Sequence, residues 1–299
     1  MTTSPPRPAP IDGETLVDWF AATARPLPWR APGVTGWGVL VSETMLQQTP
    51  VNRVLPIWEE WMRRWPRPSD LAAASQGEVL RAWGKLGYPR RAQRLHQAAA
   101  AIAADHGDVV PADVDTLLAL PGIGAYTARA VAAFAYGKRV PVVDTNVRRV
   151  VARAVHGAGD AGPPSTTRDL ADVDALLPAE DAPAAALSAA LMELGQVVCA
   201  VRSPACERCP IAADCAWQHA GRPAYAGPPK KVQKFAGTDR QVRGKLLDVL
   251  RDSPGPVRRE QLDAVWSDAG QRDRCLDSLL VDGLVEQTDD DRFALPGEH

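Results

Sequence analysis

The sequence predicts an all-α protein, and three observations carry that reading. Apolar residues recur at three- and four-residue spacing in segment after segment, alternating β-type patterns are nearly absent before residue 290, and the connections are short and rich in Gly, Pro and Asp. The helical spacing runs through 14–22, 38–48, 51–64, 77–83, 90–104, 124–135, 146–155 and 183–198. Ahead of these, "MTTSPPRPAP" (1–10) is expected to be disordered and lacks the apolar centre of an export signal. After them, "GRPAYAGPPKKVQKFA" (221–236) has no periodicity and reads as a linker. Beyond it, "QVRGKLLDVLRD" and "RREQLDAVW" read as two short helices. A third helix and a hairpin of 284–287 with 292–295 follow, so residues 237–299 are expected to form a small winged-helix-like module.

At 299 residues, 45% apolar and 23% charged, the composition is that of an ordinary globular protein with room for a large and a small domain. No apolar run approaches the roughly 18 residues that span a bilayer, so the expected location is the cytoplasm. The net charge of -2 argues against a nucleic-acid partner, but its distribution argues for one. Residues 1–235 carry 25 Lys/Arg against 22 Asp/Glu, whereas 236–299 carry 9 against 14. Residues 81–94 hold five cations and no acid, and 138–153 hold five cations and only Asp144. Such stripes suit phosphate contact; the alternative is a solvated helix face. The acidic C-terminal module suits packing or protein contact at least as well as DNA.

Pro121, Gly122 and Gly124 interrupt the helical pattern of "LPGIGAYTARA" (120–130) and point to a tight hairpin that brings backbone close to a partner. Four of five cysteines, Cys199, Cys206, Cys209 and Cys215, fall in a C-x6-C-x2-C-x5-C run, while Cys275 reads as a small core residue. Four thiolates this close can enclose one zinc ion or an iron–sulfur cluster. Arg202 lies in the first inter-cysteine loop, where it could reach a phosphate.

Two carboxylates stand out. Glu43, in "WGVLVSETMLQQTPV", has Val39, Leu40, Leu46 and Gln47 as its helical neighbours, a setting that favours a protonated carboxyl and general-acid work. The competing reading is a core-edge glutamate bonded to backbone. Asp144, where an apolar stretch gives way to a helix, reads as an N-cap, and the helix N-terminus is expected to keep it ionised. A protonatable acid paired with a persistent anion is the arrangement that breaks a glycosidic bond.

Taken together, "LPWR" (27–30), "SETMLQQT" (42–49), "LGY" (86–88), "LPGIGAYTA" (120–128), "VDTNVRRV" (143–150), "MELG" (192–195) and the four cysteines resemble the helix-hairpin-helix DNA glycosylases of the endonuclease III superfamily. More narrowly, they resemble the adenine DNA glycosylase (MutY) family, in its short-tailed actinobacterial form. Each motif is weak alone, but seven in register are specific, and they cover about residues 14–220. The resemblance implies a glycosylase domain over 11–220 with a 4Fe–4S loop at 199–215, so that the cluster replaces zinc. It implies a monomer in the nucleoid that flips adenine out of double-stranded DNA opposite 8-oxoguanine or guanine.

By the same resemblance, Glu43 is the acid that protonates adenine and Asp144 the anion that stabilises the sugar cation. Asn146 helps to position water, and Tyr126 supports the anionic side of the pocket. Arg25, Leu27, Trp29, Arg30 and Leu46 line the adenine pocket, and Gln48 and Tyr88 wedge into the stack opposite the flipped base. Gly122 and Gly124 bring backbone to a phosphate. Three departures stand out: Pro89 after Tyr88, Ser188-Ala189 where relatives carry an amide or acid, and the short C-terminal part. Tyr126 stands where a strand-cutting relative has lysine, so only base removal is expected. A thymine/uracil mismatch glycosylase shares Tyr126 and Asp144 and is the main rival; "MLQQT" favours adenine. A non-enzymatic iron–sulfur DNA-binding protein would leave Glu43 and Asp144 without a purpose.

Overall fold

The structure is a computed structural model that describes residues 11–228 and 235–298. The N-terminal segment 1–10 and residues 229–234 of the expected linker lie outside the described residues. In chain order the helices are α1 (Gly13–Thr23), α2 (Gly36–Leu46), α3 (Val51–Arg64), α4 (Pro68–Ala72), α5 (Gln76–Trp83), α6 (Arg90–Asp105), α7 (Val114–Ala119) and α8 (Ala125–Tyr136). They continue with α9 (Thr145–Ala154), α10 (Thr166–Asp174), α11 (Asp181–Val197), α12 (Ala216–His219), α13 (Asp239–Asp252), α14 (Arg259–Asp263) and α15 (Ala269–Val281). A single hairpin follows, β1 (Glu286–Gln287) and β2 (Phe293–Ala294). Among the described residues no helix is long and apolar enough to cross a membrane.

Local chemistry explains the helix starts. Asp12, Asp144 and Asp268 cap α1, α9 and α15 by accepting first-turn N–H groups, and Ser75 with Glu78 forms a capping box on α5. Gly137, in the left-handed conformation at φ 64°, ends α8.

The chain folds into two compact units, both discontinuous in sequence. The first holds residues 11–34, 112–114 and 124–228; the second holds 35–111, 115–123 and 235–298. In the first, α1, α9 and α11 pack around Leu16, Val147, Val150, Val151, Leu187, Leu191 and Leu194. Each such side chain contributes about 1.5–3 kcal/mol by leaving water. Gly195 lets α11 and α9 approach: a Cβ there would sit 2.8 Å from the Asn146 carbonyl oxygen.

The second unit is built on tryptophans. Trp61 meets Trp65 and Trp83 edge-to-face at 5.0 and 5.6 Å. The indole of Trp37 donates to the Trp65 carbonyl at 3.0 Å, and that of Trp58 donates to the Gly38 carbonyl at 2.8 Å, so the large rings fill the core without leaving N–H groups unpaired. α2 is buried on every side from Trp37 to Met45, rather than along one face as its neighbours suggested.

The C-terminal residues belong to this second unit. The expected three helices appear as α13–α15, and the hairpin is shorter than its apolar run, with Glu286 opposite Ala294 and Gln287 opposite Phe293. Val257 pairs with Phe293 through two main-chain bonds, adding a third strand-like contact. This segment docks on α5 and α6. Gly77 N–H donates to the Pro296 carbonyl at 2.9 Å, Arg81 binds Glu298 at 2.7 Å, and Gln93 donates to the Gly283 carbonyl at 2.6 Å.

Candidate active site

In the first unit, the site residues gather on α9 and α11. Asp144 caps α9: its Oδ1 accepts the backbone N–H groups of Asn146 and Val147 at 2.8 and 2.7 Å, and its Oδ2 accepts the Asn146 amide at 2.8 Å. Burial pushes the Asp144 carboxyl above its ordinary range, despite these bonds and the nearby Arg149. The N–H donors of the helix N-terminus favour the anion, as expected, while burial works against them.

Asn146 also donates to Gln196 at 3.2 Å and accepts from Arg149 at 2.9 Å. Arg149 reaches the carbonyls of Gly195 at 2.6 Å and Cys199 at 2.7 Å. The buried guanidinium thus ties the Asp144–Asn146 pair to the end of α11, where the cysteine loop begins. Sequence reading missed Arg149 and Gln196; the signal was the position of Arg149 one turn after Asn146.

A second group centres on Glu193, which is 1% exposed. Arg25 binds both its oxygens at 2.6 and 2.8 Å, and Arg30 adds a bond at 3.0 Å. These guanidiniums overcome burial and hold the Glu193 carboxyl down at about 2. Arg25 and Arg30, expected along the adenine pocket, are thus engaged with an acid that entered the sequence reading only within "MELG". Leu27 and Trp29 between them are buried. Tyr126 is half-buried against the small cluster of Ala130, Ala133, Val142 and Ala185. Ser188 is fully buried and, among the described residues, its hydroxyl has no hydrogen-bond partner.

The four cysteines are unbridged, Cys215 buried and the others half-buried. Cys209 lies close enough to feel the charges of Cys199, Cys215 and Cys206, and burial pushes its thiol up to about 11. Arg153 donates to the Cys199 sulfur at 3.4 Å and stacks on Trp217 at 4.7 Å. Among the described residues, no three His, Cys, Asp or Glu side chains draw in to the spacing of one metal ion. Four thiols within electrostatic reach of one another, with the Arg153 guanidinium beside Cys199, are a donor set that fits a thiolate-bound cluster. Arg202 lies exposed in the loop.

In the second unit, Glu43 is 6% exposed within the buried helix α2. Leu46 is half-buried at the end of that helix, and Gln48 is exposed just beyond it. Gln48 and Tyr88 both hold left-handed backbone, at φ 57° and 49°, a strained state for non-glycine residues that often marks function. They line one open cavity of about 310 Å³ with Gln47, Arg90, Arg91 and Arg94. Arg91 builds this arrangement. Its guanidinium donates to the carbonyls of Thr44, Met45 and Gln47 at 2.8, 3.0 and 2.7 Å, satisfying the end of α2. It also bonds the Thr49 hydroxyl at 3.0 Å and the Gly87 carbonyl at 3.0 Å. Burial lowers its pKa to about 10.

Arg91 was read as part of a basic stripe for phosphate; it is instead a buried clip between the Gln48 and Tyr88 loops. Most of that stripe is spent internally, because Arg81 pairs with Glu298 and Arg90 with Asp282. The stripe at 138–153 behaves alike, with Lys138, Arg139 and Arg148 paired to Asp181, Asp174 and Asp169. The hairpin is tighter. Gly122 has φ 74°, and a Cβ there would strike the Arg94 side chain at 2.4 Å. Gly124 does not need glycine's backbone freedom, but it leaves open space before α8, whose N-cap offers no side-chain acceptor to the first N–H groups.

Comparison with known proteins agrees with this picture. Residues 41–173 match the HhH-GPD superfamily of base excision DNA repair proteins. The chain is 67% identical, over 95% of its length and 95% of the relative's, to the adenine DNA glycosylase of Mycolicibacterium smegmatis. The chain belongs to the adenine DNA glycosylase family. The Mycobacterium tuberculosis member is 62% identical over 97% of this chain and 95% of its own length. A solved thermostable thymine-DNA glycosylase superposes with a TM-score of 0.62 at 25% identity, over 70% of this chain and 95% of that one. Family membership thus extends through the C-terminal segment, which docks on the same unit as Glu43.

Proposed function

We propose that this chain is a monofunctional DNA glycosylase of base excision repair, which flips adenine out of duplex DNA opposite 8-oxoguanine or guanine and hydrolyses its glycosidic bond. The observation that carries this reading is its near-full-length likeness to adenine DNA glycosylases, with the buried Glu43 and the half-buried Asp144 at the matching positions. Glu43 protonates the adenine ring, so the C1′–N9 bond breaks with its electron pair going to a neutral leaving base. Asp144, in its anionic form, stabilises the oxocarbenium-like sugar, and Asn146 positions the water that adds to C1′ and loses a proton. Tyr126 supports Asp144 and cannot form a Schiff base, so the strand is left intact.

Arg25, Leu27, Trp29, Arg30 and Leu46 shape the adenine pocket, with Glu193 fixing the two arginines. Gln48 and Tyr88 fill the gap left by the flipped base, and their cavity suits the facing base. Backbone N–H groups at Gly122 and Gly124 hold a phosphate, as does Arg202. Cys199, Cys206, Cys209 and Cys215 would hold a 4Fe–4S cluster that fixes the loop carrying Arg202. The protein acts as a monomer on nucleoid DNA.

The fold likeness to a thymine-DNA glycosylase supplies the second reading. Duplexes carrying A opposite 8-oxoguanine, A opposite G and T opposite G separate the two. Adenine should be released from the first two without strand cleavage; release of thymine alone would overturn the proposal.

A further inference from the structure

The C-terminal segment is acidic, yet the acids nearest α5, α6 and the start of α13 are already engaged. Asp282 pairs with Arg90 and Arg243, Glu298 with Arg81, Asp248 with Lys85 and Arg251, and Asp239 with Arg274. Arg240 is left over. It is exposed, and among the described residues it has no carboxylate partner. Neighbouring Asp239 is taken by Arg274 at 3.0 Å and Gln271 at 2.9 Å. Arg240 also stands in the first turn of α13, where the helix dipole disfavours a cation. Helix stability therefore does not explain it.

Its contacts are aromatic. The guanidinium lies 4.2 Å over the Tyr88 ring, and the Phe235 ring is 5.7 Å away on its other contact. Phe235 is itself 54% exposed. The Thr238 hydroxyl fixes it by donating to its carbonyl at 2.7 Å. Stacking on rings leaves the guanidinium edge, with its N–H donors, open to a partner. The same surface carries Arg94, exposed and unpaired among the described residues, beside Gly122. Two cations without a carboxylate of their own among the described residues, next to the exposed Phe235 and half-buried Tyr88 rings, match what nucleic-acid strands require.

We infer that Arg240 is a DNA-contact residue, whose guanidinium, seated on Tyr88, donates to oxygen atoms of the strand that faces the adenine. This rests on the reading above that Tyr88 lies at the base opposite the flipped adenine. The C-terminal segment then contributes to binding and does more than brace α5 and α6. The oxygen acceptor is a backbone phosphate or a carbonyl of the facing base, and the test separates them.

The test measures duplex binding by fluorescence anisotropy with the full chain. The duplex carries 2′-fluoro-adenosine, whose fluorine disfavours the sugar cation and so blocks hydrolysis, opposite 8-oxoguanine or opposite guanine. Arg240→Ala should melt like the wild type, bind several-fold more weakly, and show a salt dependence shallower by about 0.9 in log–log slope. Arg240→Lys should recover most of that slope, and Arg292→Ala, which removes a charge elsewhere on the segment, should leave binding unchanged. Equal losses on both duplexes with the shallower slope identify a phosphate; a larger loss opposite 8-oxoguanine identifies the C8 carbonyl that guanine lacks. Wild-type affinity and slope in Arg240→Ala would overturn the inference. A wild-type protein that binds the mismatch no better than a matched duplex would instead remove the functional reading beneath it.

Discussion

Glu193 and Asp144 are both carboxylates of the first unit, both withdrawn from water, and they titrate in opposite directions. Glu193 is held at about 2 by the guanidiniums of Arg25 and Arg30. Asp144 is raised, because its partners are peptide N–H groups and one neutral amide, with Arg149 only nearby. Burial alone therefore does not set the charge of an acid; full positive charge in contact does. One carboxylate is a fixed anion that organises two arginines. The other is an anion held at a cost, which suits a group that must respond to a cation forming beside it.

The largest expected effect separates function from stability at Asp144. Asparagine caps a helix about as well as aspartate, so Asp144→Asn should melt within a few degrees of the wild type. Base release in single turnover should fall by about a thousandfold, the scale of losing one electrostatic stabiliser of a transition state. A variant that folds and still releases base at the wild-type rate would break the contrast.

Glu193→Ala should do the reverse and cost stability first. It removes the buried acceptor shared by the partly exposed Arg25 and Arg30, which costs about 2 kcal/mol in denaturant unfolding. The pH dependence has a defined sign. A carboxyl lowered from 4.5 to about 2 gives stability that is fully present above pH 4.5 and disappears as pH falls towards 2. The wild type should lose stability across that window, and Glu193→Gln should lose less across it. Asp144 works oppositely: its raised pKa favours the protonated folded state, so its ionisation opposes folding as pH rises.

The smallest effect concerns a third way of burying charge. Arg91 has carbonyl partners and, among the described residues, no acid, and burial lowers its pKa to about 10. Arg91→Lys keeps the charge but cannot span the ends of two loops, so stability should fall by about 1–2 kcal/mol. Gln48 and Tyr88 should then exchange hydrogen faster in their backbone N–H groups. Unchanged exchange would show that the loops hold their strained backbone without the clip.

Much of this was legible in the sequence because periodicity and capping are local. The segments around α1, α3, α6 and α9 carry clear apolar spacing, and Asp144 announces a cap by standing before "TNVRR". α10 was missed because "TTRDLADVD" buries only Val173. The spacing over 38–48 does not show that α2 is buried all round; its Ser42 and Thr44 can be buried because their hydroxyls bond the helix's own carbonyls. The stripe at 81–94 misled for a different reason. Arginine count says nothing about partners 192 and 217 positions away, and it is Asp282 and Glu298 that engage Arg90 and Arg81. Arg25, Arg30 and Glu193 failed to announce themselves as a group for the same reason.

The most direct measurement is single-turnover adenine release by Glu43→Gln from a duplex with adenine opposite 8-oxoguanine, with duplex binding measured alongside. The expected result is wild-type affinity with the base retained, because glutamine cannot deliver the proton. Adenine release at the wild-type rate would contradict the assignment of Glu43 as the acid.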